Sequence, residues 1–343
     1  MRVPKITHII FFALAVGFLV ISHYIFDDYS LRVLNNIAIF IILAVSYNLI
    51  NGVTGQFSLE PNGFVAVGAY VAALILLDVD AKNYQFDLES PSAFILWLHS
   101  SNFLLALLAA GVCATILALV LSFPVFRVRG DYLAIVTLGF GFIIKILAIN
   151  YPSITNGSLG LSSIPQHATL YYTGGIAIIG VIVVLNIVYS KFGRAMKAVR
   201  DDEDAALAMG VNTFAVKTTA FSTSAFLEGV GGGLWACSFA SIVPNEFDFY
   251  LTFQLLIIIV LGGLGSMTGA ILGTILVIGG GEWLRFLDEP LSLFGHTFDA
   301  MPGLRMIVFS VILILVMLFA REGIFGKKEL TDVARSVAKR LKR

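Results

Sequence analysis

Residues 101–150 read SNFLLALLAAGVCATILALVLSFPVFRVRGDYLAIVTLGFGFIIKILAIN. Two apolar runs, near 101–122 and 131–150, flank a short polar break that carries Arg127 and Arg129. A helix needs about 20 consecutive apolar residues to cross the hydrocarbon core of a bilayer. Each run reaches that length, so the pair predicts two membrane spans joined by a tight basic turn. Working outward, further stretches of this kind lie near 6–25, 31–50, 61–78, 173–190, 217–243, 249–262, 269–285 and 303–320, giving about ten candidate spans. Backbone in lipid must satisfy its own hydrogen bonds, and segments of about ten alternating residues, the mark of a barrel, are absent. The fold class expected is therefore all-α: an integral membrane, polytopic helical bundle. The composition agrees, with 343 residues, 58% hydrophobic and 13% charged, far from the quarter charged of soluble domains.

The charges set the orientation. With the N-terminus in the cytoplasm, 17 of the 22 Lys and Arg residues fall on the cytoplasmic side and 4 (Arg32, Lys82, Arg285, Arg305) on the far side, with Lys145 inside a span. The positive-inside rule selects this arrangement, and an even number of spans returns the C-terminus to the cytoplasm. The tail Lys327–Arg343 is basic and suited to anionic membrane lipid. The first apolar run ends in His23-Tyr24-Ile25-Phe26-Asp27-Asp28 and lacks a small-residue cleavage site, which favours a retained span over a signal peptide. Cys113 and Cys237 lie in apolar blocks and form no metal or redox motif. No basic run with interleaved aromatics points to nucleic acid.

Catalytic signatures are missing. There is no G-x-x-x-x-G-K-[ST] phosphate loop, no H-E-x-x-H and no G-x-S-x-G, and the five histidines are scattered. The chain is read as a non-enzyme that cannot hydrolyse ATP itself. The loop Lys191–Val216 is the one substantial cytoplasmic connection. In it Asp201 or Asp202 is placed to cap a helix, Glu203 and Asp204 suit the positive end of its dipole, and Gly210 closes it. Such a helix is about two turns long and presents Leu207 and Met209, which suits either a soluble partner or the membrane surface. Gly229, Gly231, Gly232 and Gly233, and the ladder Gly265, Gly269, Gly273, predict close helix packing. Glu228 near mid-span, and Glu60 before Pro61-Asn62-Gly63, place carboxyls at membrane depth, where a charge costs roughly 2.5–3.5 kcal/mol. A polar, proline- and glycine-rich break in a span points to a substrate path. Lys145 and Glu282, near span ends, are read as snorkelling.

Four motifs resemble those of the branched-chain amino acid ABC importer permeases, specifically the LivM type. They are Asn51–Leu59 (NGVTGQFSL) with Phe64–Tyr70; Arg129–Gly141 with Thr155–Pro165; Gly193–Met196 through Ala208–Asn212; and Gly262–Gly269 (GGLGSMTG). The resemblance covers nearly the whole chain in order. It implies one permease domain over 1–326, with a coupling loop at 191–216 and a basic tail at 327–343, in a bacterial inner membrane. It also implies a LivH-type sister permease, two ABC ATPase subunits that hydrolyse the ATP, an external substrate-binding protein, and a branched-chain amino acid or similar small polar solute as cargo. ATPase coupling then falls to Arg194, Arg200, Asp201, Asp202, Asp204, Leu207, Met209 and Gly210. The translocation-path candidates are Gln56, Glu60, Asn62, Asn156 and Glu228. The chain departs from the family's pattern at Glu60-Pro61-Asn62, Glu228 and Phe142, which bears on cargo. A secondary transporter or channel working without ATPases, or a membrane-embedded enzyme, are the alternative readings.

Overall fold

The computed structural model describes residues 5–86, 90–128, 130–288, 291–293, 296–298, 303–320, 323–324 and 326. The basic tail 327–343, Arg129, Glu289 and Asp299 lie outside the described residues. Every apolar stretch read from the sequence is helical. The chain begins with α1 (Lys5–Ile25), α2 (Asp28–Asn48) and α3 (Pro61–Leu76), the last opened by Pro61 at its first helical position, where a missing N–H costs nothing. Two short helices follow, α4 (Val79–Gln85) and α5 (Ala93–Trp97), then α6 (Phe103–Val125) and α7 (Asp131–Asn150). After α8 (Pro152–Thr155) come α9 (Leu170–Tyr189), α10 (Lys191–Asp201) and α11 (Glu203–Ala208). The remainder is α12 (Thr213–Phe239), α13 (Phe249–Gly262), α14 (Met267–Thr274), α15 (Gly280–Trp283) and α16 (Leu304–Phe319). A π-helical turn at Ile275–Gly279 joins α14 to α15. Among the described residues five segments are long and apolar enough to cross a membrane: Asp28–Val53, Phe103–Val125, Tyr132–Asn150, Leu170–Tyr189 and Pro244–Gly262. The bent pair α3–α4, turned by 118°, counts as a sixth only where it is taken as one broken span and not as a re-entrant loop. The chain is a multi-pass, predominantly α-helical membrane protein. The departures from an all-helical fold among the described residues are a small antiparallel hairpin, β1 (Leu291–Leu293) and β2 (His296–Phe298), with Ser292 opposite Thr297, and an isolated antiparallel bridge between Leu161 and Ile242.

The centre of the bundle is α12, and its glycines explain why. It packs along α3, α6 and α2. A Cβ at Gly68 of α3 would overlap the backbone of Gly229, and one at Gly232 would meet the Val65 carbonyl oxygen. Gly233 faces Leu107 and Ala72. Small residues let these backbones meet where lipid supplies no hydrophobic drive between helices. Gly68 against Gly229 and Ala72 against Gly233 advance in step, so α3 and α12 run parallel and leave the same end of the bundle. The expected ladder Gly265, Gly269, Gly273 holds only in part. Gly269 and Gly273 pack on Gly262 and Ile258 of α13, whereas Gly265 sits in the preceding turn at φ +88°.

At the opposite end the connection between α3 and α6 folds back over the bundle. Asp78 caps α4 by accepting the Val79 N–H at 2.8 Å. Lys82, which the sequence places in a polar loop, is 0% exposed. Its Nζ donates to the carbonyls of Ile95 at 2.8 Å and Leu98 at 2.7 Å, groups that the end of a short helix leaves without intrahelical partners. Leu161 and Ile242 exchange two backbone hydrogen bonds, at 2.9 and 2.8 Å. Lys145 does more than reach for water: its Nζ pairs with Asp248 at 2.9 Å and ties α7 to the start of α13. Glu282 likewise accepts from the Tyr29 hydroxyl at 2.7 Å and pairs with Arg305 at 3.6 Å.

Candidate functional site: coupling helices and a buried carboxyl pair

The loop 191–216 forms two helices in place of the single one expected over 201–210. Ser190 starts α10 by accepting the N–H groups of Phe192 and Gly193 at 3.0 and 3.4 Å. Gly193, Met196 and Val199 form its buried stripe, three apart as an amphipathic helix requires. Asp201 ends α10. Asp202 turns extended (φ −159°, ψ 110°) and caps α11, its Oδ1 accepting from Ala205 N at 2.9 Å. Gly210, at φ +82°, closes α11; its N–H donates to the Leu207 carbonyl at 2.9 Å and that of Val211 to Ala206 at 3.0 Å. This paired closure is what a glycine after a helix permits. Buried Ala206 and a 2.7 Å ion pair between Lys217 and Glu203 hold α11 against α12. Leu207 and Met209 are left 54% and 85% exposed. Asp204 is exposed beside them. Arg194 turns back to the Ser190 carbonyl at 3.3 Å.

Arg200 joins these helices to the membrane core. Its Nη1 donates to the Gly52 carbonyl at 3.3 Å, and its Nε and Nη2 donate to Asp201 at 3.1 and 3.0 Å. Gly52 lies in the π-helical turn Leu49–Val53 that ends the α2 span. The arginine stem lies against Gly55, whose φ of +71° and lack of a Cβ leave the room. Gly265 closes the third side, next to both Gly52 O and Arg200 Nη1. Asn48 fastens that turn, accepting from Gly265 N and donating to Ser266 O, each at 2.9 Å. Three of the four sequence motifs thus meet at one junction. The sequence reading missed Asn48; its polar side chain deep in an apolar span is the signal that could have found it.

From this junction the chain re-enters the bundle through the non-helical segment 55–60 and reaches Glu60. Glu60 and Glu228 are both 0% exposed and interact electrostatically. Glu60 stands at the start of α3 yet makes no side-chain cap bond there, and neither of its carboxyl oxygens has a hydrogen-bond partner among the described residues. Glu228 Oε1 lies 2.9 Å from Ser224 Oγ, and its Oε2 is unpartnered among the described residues. The other path candidates are spread out. Gln56 lies at the bend, its N–H on the Ile50 carbonyl. Asn62 points towards Gly141 and donates to the Phe247 carbonyl at 3.4 Å. Asn156 stands apart at φ +61° in the loop after α8, donating to the Gly160 carbonyl at 2.8 Å.

Known proteins share this sequence pattern. A family described as branched-chain amino acid transport system / permease component matches residues 29–317. The high-affinity branched-chain amino acid transport system permease protein LivM of Escherichia coli K12 is 33% identical over 73% of this chain and 62% of its own length. The LivH permease protein of Salmonella typhimurium is 24% identical over 85% of this chain and 92% of its own. A probable LivM of Methanocaldococcus jannaschii is 21% identical over 66% of this chain and 68% of its own. No solved structure matches significantly. The chain spans 62% of the length of the bacterial LivM relatives. With a family match that runs from the start of α2 to the end of α16, this chain belongs to the branched-chain amino acid transport system permease family.

Proposed function

We propose that this chain is one permease subunit of an ATP-driven importer that carries branched-chain amino acids, or a similar small polar solute, across a bacterial inner membrane. In this reading residues 1–326 form one permease domain of ten spans, with both termini and the 191–216 loop in the cytoplasm, as the 17-to-4 distribution of basic residues favours. The basic tail 327–343 lies along anionic lipid. The partners are a LivH-type sister permease, two ABC ATPases that bind and hydrolyse the ATP, and an external substrate-binding protein. The path opens beside the 55–62 break, with Gln56, Glu60, Asn62 and Glu228 on one side and Asn156 nearer the external entrance.

The observation that carries the reading is α11: a capped, anchored helix that exposes the apolar Leu207 and, at its C-terminal end, Met209, beside the charged Asp204. Arg200 and Asp201 connect that surface to Gly52, and through the 55–60 segment to the path. Covering Leu207 and Met209 with an ATPase contributes about 1.5–3 kcal/mol each. Replacing both with Asp is expected to abolish cargo-stimulated ATP hydrolysis in the reconstituted assembly. Insertion and yield stay at wild-type level, because neither side chain belongs to the core. Full stimulated hydrolysis by the double variant would remove α11 from the coupling surface.

A further inference from the structure

The start of α3 is wedged between α7 and α13. On the α7 side the Leu59 N–H donates to Thr137 Oγ1 at 2.8 Å, and Asn62 and Gly63 lie against Gly141 and Phe140. On the α13 side the Asn62 N–H donates to Thr252 Oγ1 and its Nδ2 to the Phe247 carbonyl, each at 3.4 Å. Asn62 is fully buried, yet its Oδ1, beside Gly141, has no hydrogen-bond partner among the described residues. A buried amide oxygen without a donor is costly, and a wall that served packing alone would avoid it. The seam between α7 and α13 therefore holds a free acceptor at its floor.

Lys145 and Asp248 close that seam. Lys145 follows Gly141 by one helical turn, and Asp248 adjoins Phe247, so the pair lies one turn beyond Asn62. This is the end of the bundle away from α10 and α11. Gly229 faces Ala110 and Gly233 faces Leu107, so α6 runs antiparallel to α12 and ends where α12 begins, with Phe126 on Phe214; α7 starts there and carries Lys145 to the opposite end. The Nζ–Oδ2 distance is 2.9 Å, and the two side chains are 17% and 40% exposed. Asp248 Oδ1 is separately engaged by the Phe249 N–H at 2.6 Å, so the carboxylate keeps its place when Oδ2 is released. An ion pair this open to water is weakly held. What can replace it is constrained, because parting the two groups leaves a cation and an anion that each need a new partner. An uncharged amide offers neither charge, and a singly charged solute satisfies one group and repels the other. An α-amino acid bears its ammonium on the carbon next to its carboxylate and satisfies both.

We infer that Lys145 and Asp248 form the outer gate of the path and select a zwitterionic amino acid as the solute that opens it. Closed, they pair with each other and cover Asn62. Open, Lys145 takes the carboxylate of the incoming solute and Asp248 its ammonium, and Asn62 Oδ1 accepts an ammonium N–H as the solute moves inward. The inference rests on the importer reading and narrows its cargo from small polar solutes to amino acids with both charges free.

Thiol labelling of a Thr252→Cys reporter, in the full chain in lipid nanodiscs, tests it. Thr252 is buried beside Asn62, and mass spectrometry of the labelled peptides separates the reporter from Cys113 and Cys237. A water-soluble maleimide is expected to react slowly while the Lys145–Asp248 pair is intact. Lys145→Met or Asp248→Asn, which keep length and shape, should each speed the reaction roughly fivefold or more. With the pair intact, leucine should speed it as well, whereas leucinamide, which lacks the carboxylate, and 4-methylpentanoate, which lacks the ammonium, should not. Radical footprinting at Phe247, also buried, gives the same comparison without a reporter cysteine. Labelling and footprinting unchanged by either neutral variant would show that the pair covers nothing. Leucine acting no differently from its two singly charged analogues would show that the pair does not select a zwitterion. Either result would leave the importer reading intact, since the α11 variants report on it separately.

Discussion

Substituting Gly68 with leucine is expected to lower the yield of folded, monodisperse protein in detergent roughly tenfold or more, while Gly139→Leu leaves it unchanged. A side chain at Gly68 would run into the Gly229 carbonyl oxygen, Cα and carbonyl carbon. Those atoms belong to the backbone of α12, which is itself held by α2 and α6, so the obstacle cannot rotate away as a side chain would. Overpacking costs about 1–3 kcal/mol where neighbours adjust, and here they do not. A factor of ten in the folded population needs only about 1.4 kcal/mol. At Gly139 on α7 a Cβ would have nothing within 4 Å of it, so leucine there meets no obstacle and is the better helix former. Size-exclusion profiles of the two variants make the comparison. Equal yields would mean that α3 and α12 are not in the contact described.

Replacing Arg200 with alanine is expected to leave folding nearly intact and to uncouple transport. The Arg200 contact to Gly52 is a charge-assisted hydrogen bond of the kind that contributes about 1.5–3 kcal/mol, and it crosses from α10 to the turn that ends α2. Losing it should cut cargo-stimulated ATP hydrolysis roughly tenfold to a hundredfold, with basal hydrolysis unchanged. Arg200→Lys should fall between, because lysine keeps the charge but lacks the planar fork that reaches Gly52 and Asp201 together. Gly55→Val should resemble Arg200→Ala: a side chain there collides with Arg200 Cγ and strains a backbone at φ +71°. An Arg200→Ala assembly with wild-type stimulation would show that the junction carries no coupling.

The local elements were legible and the long-range ones were not. Apolar runs of span length located the helices, because in lipid a helix must satisfy its own backbone within one continuous segment. Asp202 and Gly210 were readable for the same reason: caps act within a few residues. Lys191–Asp201 was not read as a helix, because its buried stripe alternates with charged residues and matches no span. Asn48 and Gly265 are 217 residues apart, and no periodicity announces their bond. Lys82 looked like a loop cation because burial by the carbonyls of Ile95 and Leu98 depends on how α5 folds back. Glu60 and Glu228 stood out as costly groups at depth, but their proximity emerged only once α3 and α12 were seen to run parallel.

The most direct test of the importer reading is photo-crosslinking from position 209 in native membranes. Met209, just after α11, is 85% exposed, so a photoreactive residue there reports what covers that surface without disturbing the core. The account predicts a single dominant crosslink, to an ABC ATPase subunit on the cytoplasmic side, that disappears when Arg200→Ala or Leu207→Asp is combined with the probe. Crosslinks to lipid alone, or to a protein on the external side, would contradict it.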